Sequence, residues 1–381
     1  MATHNPARIY SGKRVLITGH TGFKGSWLTL WLAHLGATTF GYSLAPPTNP
    51  SAFELLKLED IIDHQIADIR DGKTLAKVIA RVQPDIIFHL AAQSLVRASY
   101  DSPLETVEVN TLGSVQLMEA VRQLGRPLSI VMVTSDKCYQ NREWVHAYRE
   151  TDPLGGHDPY SASKAGAEIF ISSWRDSFFH PEFISAHGIR LASARAGNVV
   201  GGGDWTKDNL VPDCIRALQS QRVIEVRNPR ATRPWQHVVD ALGGYLLLGA
   251  KLLQASPAAA IPYCDAFNFG PNVDSNKSVR DLVEKIITYW GNGSWSDISS
   301  GHAPHEASLL SISIDKAYHV LGWRPKLPFD ETIRQTVEWY KAFLQAPSTL
   351  RDLTLQQIIR YQNGQDKTVE DPIRGTVPLE T

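Results

Sequence analysis

Apolar residues in the first half of the chain fall into short runs separated by longer amphipathic stretches, a rhythm that predicts alternating strands and helices. Arg14-Val15-Leu16-Ile17-Thr18 stops at Gly19, as a strand buried on both faces would. Residues 26–35 read as a helix that is apolar nearly all round, ended by Gly36. Residues 37–42 predict a second strand. Ile79, Val82 and the turn at Pro84-Asp85 close another helix, and 86–90 is the next strand. A long helix over 103–124, a strand over 128–134, a helix over 160–179 and a strand over 189–195 follow. Sustained alternation of this kind predicts an α/β fold, a Rossmann-type doubly wound parallel sheet.

The rhythm breaks after about Gly197. Gly201-Gly202-Gly203 and Arg230-Ala231-Thr232-Arg233-Pro234-Trp235 read as loops, with helical segments around 241–253, 279–289 and 330–344. This half predicts a smaller C-terminal lobe built on the carboxyl edge of the sheet. The expected division is 12–196 plus returning segments of the C-terminal half, mainly 197–350, and 351–381. The last part carries an amphipathic stretch over 353–361 and a polar tail expected to be mobile.

Composition narrows the function. The 381 residues can bury a large core, and a net charge of −1 gives no electrostatic case for nucleic acid or an anionic membrane. Three cysteines, Cys138, Cys214 and Cys264, cannot build a disulfide framework and lie in no zinc-like cluster, so no metal is expected and a reducing cytoplasm suits them. The first twelve residues are polar, without an apolar signal core. No uninterrupted apolar run approaches about 20 residues, so no membrane span is expected. Several of the ten tryptophans fall outside regular elements, where they could line a pocket.

Gly19-His20-Thr21-Gly22-Phe23-Lys24-Gly25 follows a strand and opens a helix, the context in which a glycine loop cradles a pyrophosphate. The second strand ends at Tyr42-Ser43-Leu44, with no acid for a ribose 2′-hydroxyl and no arginine in 43–47 for a 2′-phosphate. That position does not choose between NAD and NADP. Asp68-Ile69 is either an adenine contact or a plain turn. Far downstream, Tyr160 and Lys164 lie four residues apart on one face of a helix. The lysine can there lower the pKa of the phenol, which is a poor base at its ordinary value. Thr134-Ser135-Asp136-Lys137 lies shortly before them.

Together with His89-Leu90-Ala91-Ala92-Gln93 and Asn110, these motifs resemble the extended short-chain dehydrogenase/reductase superfamily, and within it the nucleotide-sugar 4,6-dehydratases. The resemblance is closest to the CDP-glucose branch. It is carried by the glycine loop with Ser26-Trp27, by Thr134 to Tyr139, by Arg195 to Trp205, by Thr232-Arg233-Pro234-Trp235-Gln236-His237-Val238 and by Leu321-Gly322-Trp323. It extends from Gly12 to about Leu344 and implies an NAD-binding domain in the first part and a nucleotide-sugar lobe in the second.

The resemblance implies loss of water from CDP-glucose to give CDP-4-dehydro-6-deoxyglucose, for deoxysugar biosynthesis, with NAD used catalytically. It implies Tyr160 as base at C4, Lys164 beside it, and Ser135 on the C4 oxygen. Asp136 becomes the acid for the leaving 6-hydroxyl. Relatives acting on dTDP- and GDP-sugars carry Asp-Glu at this point; here Lys137 follows Asp136. Lys137 is either the C5 base or a partner of Asp136. The cofactor would lie against Gly19 to Gly25, Asp68, Ile69, Ala91, Ala92, Gln93, Asn110, Tyr160 and Lys164, with Asn110 ordering a proton path. Asn198, Asn209, Arg233 and Asn272 are expected on the substrate. Gln93 either touches the hexose or caps its loop, and Trp205 and Trp235 either wall the site or pack in the core. His237 and Asp240 are expected to be structural. An epimerase or reductase would keep Tyr160 and Lys164 but need no acid beside Ser135. A silent NAD sensor would need neither. The superfamily resemblance also implies a homodimer or homotetramer, joined through the helices over 103–124 and 160–179.

Overall fold

The protein, described by a computed structural model over residues 9–299 and 309–364, is built on a seven-stranded parallel sheet. Its strands are β1 (Arg14–Thr18), β2 (Thr38–Ser43), β3 (Asp63–Ile66), β4 (Ile86–His89), β5 (Leu128–Val133), β6 (Ile189–Arg195) and β7 (Ala266–Asn268). Their order is β7-β6-β5-β4-β1-β2-β3. In β1, Val15 and Ile17 face one apolar cluster and Leu16 the other, so every residue from Val15 to Thr18 is buried. This is why the strand lacks polar alternation.

One face is covered by α2 (Gly72–Val82), α3 (Gly113–Leu124) and α4 (Pro159–Ser177). The other face carries α1 (Phe23–His34) and, returning from the second half, α6 (Val238–Gln254). The second half adds α5 (Leu210–Gln219), α7 (Val279–Trp290), α8 (Phe329–Gln345) and α9 (Leu350–Gln362), the last packed on α1 through Tyr361 and Trp31. Strand order turns back between β1 and β4, which opens a crevice at their carboxyl ends.

The structure differs from the sequence reading at several points. β3 reads Asp-His-Gln-Ile, mostly exposed at a sheet edge, and has no hydrophobic signal. β7 is three residues long, too short to stand out, yet pairs in register with Ser193 to Arg195. Thr232–Pro234, expected as loop, is a short strand paired antiparallel to Asn276–Ser278. The expected helix over 103–124 is continuous but contains a π-helical turn, Glu108–Leu112. The expected tail beyond residue 364 lies outside the described residues. Among the described residues no helix is long and apolar enough to cross a membrane.

Candidate active site

The glycine loop lies between β1 and α1. Gly19 has φ +77°, and a Cβ there would come within 2.6 Å of the Ala91 nitrogen, so the loop can pass β4 only as glycine. A Cβ on Gly25 would lie 2.1 Å from the Gly19 oxygen. Gly22 differs: its Cβ would meet only the Gly19 oxygen, at 3.5 Å, so its outer side is open. Gly22 caps α1 without a side-chain bond, and the first turn contains no acid. Amide donors on an open, unopposed helix start fit a pyrophosphate. The Thr21 hydroxyl ties the loop to the end of β2, at 2.9 Å from both Ser43 Oγ and the Leu44 carbonyl.

Two side chains of this loop turn elsewhere. His20 is buried against Phe53, with its Nε2 3.1 Å from His64 Nδ1, and burial lowers its pKa to about 3. Lys24 points inward, its ammonium 5.9 Å from the centre of the Tyr245 ring on α6. Burial lowers its pKa to about 8, opposed by the charge of Asp136.

Asp158 caps α4, accepting the Ser161 amide at 2.9 Å and the Ser161 hydroxyl at 2.6 Å, with Pro159 in the first turn. This fixes the start of the helix and therefore where Tyr160 and Lys164 point. Both are buried. Burial lowers the Lys164 pKa to about 8, in the same sense as the Lys24 charge and against Glu168. Burial also raises the Tyr160 pKa, and the group that lowers it most is the Ser135 hydroxyl. The sequence reading gave that task to Lys164; in the folded protein desolvation is the largest influence, and the Ser135 hydroxyl is the leading one that opposes it.

Ser135, Asp136 and Lys137 form a tight turn at the carboxyl end of β5. Ser135 Oγ donates to Asp136 Oδ1 at 3.1 Å and accepts the Lys137 amide at 3.2 Å. The other Asp136 oxygen accepts from Asn198 Nδ2 at 3.3 Å. Asp136 is 1% exposed and lies against Gly197, where a Cβ would fall 1.9 Å from its carboxyl carbon. The Lys137 ammonium sits 5.9 Å from the Tyr160 ring centre. Among the described residues it forms no ion pair with Asp136. Tyr160, Ser135, Asp136 and Lys137 are thus brought to one place from two elements.

Other expected contacts are already engaged. The Gln93 amide caps its own loop: Oε1 accepts the Leu95 amide at 2.5 Å, while Nε2 donates to the Leu95 carbonyl and Thr106. Asn110, in the π turn, bonds both backbone groups of Gln93 and donates to Ser163 Oγ at 2.9 Å, joining the loop after Ala91-Ala92 to α4. The Asp68 carboxylate grips Arg70, and Ile69 is buried beside Gly113. Asn209 Nδ2 donates to Asp204 at 3.0 Å. Arg233 is buried on its short strand, donating to the Thr232 carbonyl, and Asn272 precedes the turn Val273–Ser275. Trp205 packs on Tyr340 and Phe343, and Trp235 donates to the Lys277 carbonyl, so both belong to the interior. His237 caps α6, and Asp240 accepts the amides of Lys326 and Leu327, as structural residues would. Sequence reasoning missed Gly197, Glu168 and Arg195. Glu168 had a signal, one further helical step from Lys164; the others had none beyond a shared motif.

A parallel sheet with a glycine loop at β1 and a Tyr-x-x-x-Lys helix facing Ser-Asp defines the class of nucleotide-sugar dehydratases and epimerases. A family profile described as GDP-mannose 4,6 dehydratase matches residues 16–336. CDP-glucose 4,6-dehydratase of Salmonella typhimurium is 47% identical over 342 residues, covering 90% of this chain and 94% of that one. An epimerase of Methanothermobacter thermautotrophicus superposes with a TM-score of 0.74 at 25% identity, covering 90% of this chain and 96% of its own. A dTDP-glucose 4,6-dehydratase of Streptomyces venezuelae, solved with NAD and TYD bound, has the same fold, with a TM-score of 0.72 at 22% identity over 89% of this chain and 99% of its own. The chain belongs to the GDP-mannose 4,6 dehydratase family of nucleotide-sugar-modifying enzymes.

Proposed function

We propose that the protein is an NAD-dependent CDP-glucose 4,6-dehydratase, a hydro-lyase forming CDP-4-dehydro-6-deoxyglucose for deoxysugar biosynthesis. The observation that carries this is Asp136, an acid held by Ser135 and Asn198 within the turn that faces Tyr160. An epimerase has no use for an acid there. The choice of cytidine rests on the 47% identity to the Salmonella enzyme.

The glycine loop and Lys164 would hold NAD, which supplies a reversible hydride acceptor for C4 and later a hydride donor to C6. Tyr160 takes the C4 hydroxyl proton, and Ser135 hydrogen-bonds the C4 oxygen. Lys164 would bond the nicotinamide ribose. Once C4 is a ketone the C5 proton becomes acidic. Lys137 removes it while Asp136 protonates the departing 6-hydroxyl. The lack of an ion pair between Lys137 and Asp136 among the described residues supports separate roles. Arg233 suits a pyrophosphate, since a guanidinium binds two phosphate oxygens at once. Asn198 serves Asp136, and Asn209 and Asn272 are left to the nucleotide-sugar lobe. In this reading 12–196, with α6 and β7, carries the cofactor and 197–350 mainly the substrate.

We also propose a cytoplasmic homodimer. Its three cysteines are free and buried. Leu104, Leu112 and Ile169 are exposed on neighbouring helices, at 71%, 49% and 56%, an apolar surface that a second copy would cover. Incubating the enzyme with NAD and CDP-, dTDP-, GDP- or UDP-glucose tests the function. A 4-keto product absorbing in alkali, from CDP-glucose above the others and without net reduction of NAD, is expected. No turnover of CDP-glucose overturns the assignment. Lys137→Ala is expected to abolish solvent exchange of the C5 proton; exchange at the wild-type rate would remove Lys137 as base.

A further inference from the structure

Glu168 lies four residues beyond Lys164 and eight beyond Tyr160, on the same face of α4. It is 2% exposed, and no step above uses it. Its Oε1 accepts from Thr134 Oγ1 at 2.5 Å. Its Oε2 accepts from Ser193 Oγ at 2.9 Å and from Arg195 Nη2 at 2.7 Å. Arg195, at the end of β6, extends its other arm to Tyr139: Nη1 donates to the phenol oxygen at 2.9 Å, and the guanidinium lies 5.1 Å from the ring centre.

Thr134 immediately precedes Ser135, and Tyr139 immediately follows Cys138. The turn that carries Ser135, Asp136 and Lys137 is therefore held at both ends by the two members of one buried ion pair. We infer that Glu168 and Arg195 form a clamp that fixes the elimination groups, Asp136 and Lys137, in register with the oxidation groups, Tyr160 and Lys164. This rests on the dehydratase reading. Both sets of groups act on adjacent carbons of one sugar, so the tolerance in their mutual position is a fraction of an ångström. Simple stabilisation is a poor explanation for the pair. Both side chains are nearly sealed from solvent, at 5% and 1%, and desolvation offsets much of the attraction in such pairs. A carboxylate whose oxygens reach one strand end and two residues of the next, on a helix bearing two catalytic side chains, instead sets geometry.

Glu168 and Arg195 are positioning residues, and single arms of the clamp can be cut while the pair is kept. Thr134→Val removes the bond from Glu168 to one end of the turn; Tyr139→Phe removes the bond from Arg195 to the other, together with the phenol's own bond to Asn268. In each variant kcat is expected to fall about ten- to a hundred-fold with KM little changed. The kinetic isotope effect from deuterium at C5 should rise at the same time, because elimination becomes slow relative to oxidation. A smaller fraction of folded enzyme would lower kcat without moving that isotope effect. Amide exchange of residues 135–138, followed by mass spectrometry without substrate, should quicken in both variants. Unchanged exchange, or a fall in kcat with an unchanged isotope effect, overturns the clamp. Failure of the wild-type enzyme to turn over CDP-glucose would instead overturn the functional reading, and the exchange measurement would still judge the clamp.

Discussion

Gly197 decides where the Asp136 carboxyl can stand. A methyl group there would overlap the Asp136 carboxyl, with separations near 2 Å to all three of its terminal atoms. Gly197→Ala therefore displaces Asp136 from Ser135 and Asn198. We expect about a hundred-fold loss of kcat with the fold retained, measured by steady-state turnover beside circular dichroism. Residue type and spacing pointed to Tyr160 and Lys164, and the family resemblance added Ser135 and Asp136. It could not assign Gln93, whose amide was equally suited to a sugar hydroxyl or to its own loop. Nor could it tell that Asn198 bonds Asp136, a partner sixty-two positions away.

At the scale of elements, α6 shows how the second half supports the first. Asp240, fully buried in its first turn, accepts the amides of Lys326 and Leu327 and so pins the segment leading into α8. Burial raises its pKa from 3.8 to about 7. Between those values the folded protein holds a proton that the unfolded chain has lost. The stability of the wild type relative to Asp240→Asn therefore falls as pH rises through that window, by up to about 4 kcal/mol, and is flat above it. Denaturant unfolding of both proteins at several pH values between about 4 and 8 measures the slope. Elements with strong apolar runs, β1, β4, β5 and β6, were legible because burial on both faces demands such runs. β3 and β7 were not: one is a polar edge strand and the other only three residues long, and each forms because a neighbouring strand offers it a template.

For the whole molecule, acid is the expected weakness. His20, His89 and His237 are buried, and burial lowers each pKa from 6.5 to about 3. Below about pH 6.5 the unfolded chain binds protons at these sites and the folded protein does not, so stability is lost as pH falls toward 3. Three such uptakes outweigh the opposite contribution of Asp240. Each costs about 2 to 3 kcal/mol by about pH 4.5, so the denaturation midpoint should drop between about pH 7 and 5. If the midpoint instead stays level, these rings are not held neutral. The apolar surface of Leu104, Leu112 and Ile169 belongs to this scale too. Ile169→Asp is expected to halve the apparent mass in light scattering while leaving the melting temperature of the protomer little changed.

By itself the sequence determined the class of fold, the cofactor loop and the Tyr160–Lys164 pairing on one helix face. Those depend on periodicity and on short spacings along one strand, turn or helix, which are local properties. Tertiary structure alone decided which polar groups remain available and which are consumed. Gln93, Asn198 and Asn209 were equivalent amides until the fold gave each a partner. Glu168 and Arg195 were an ordinary acid and base until two strands and a helix brought them together beside the turn of Ser135 to Lys137. The reason is that a hydrogen bond or ion pair requires contact in space, and contacts between distant segments are set by how the sheet is ordered, a property no local pattern encodes.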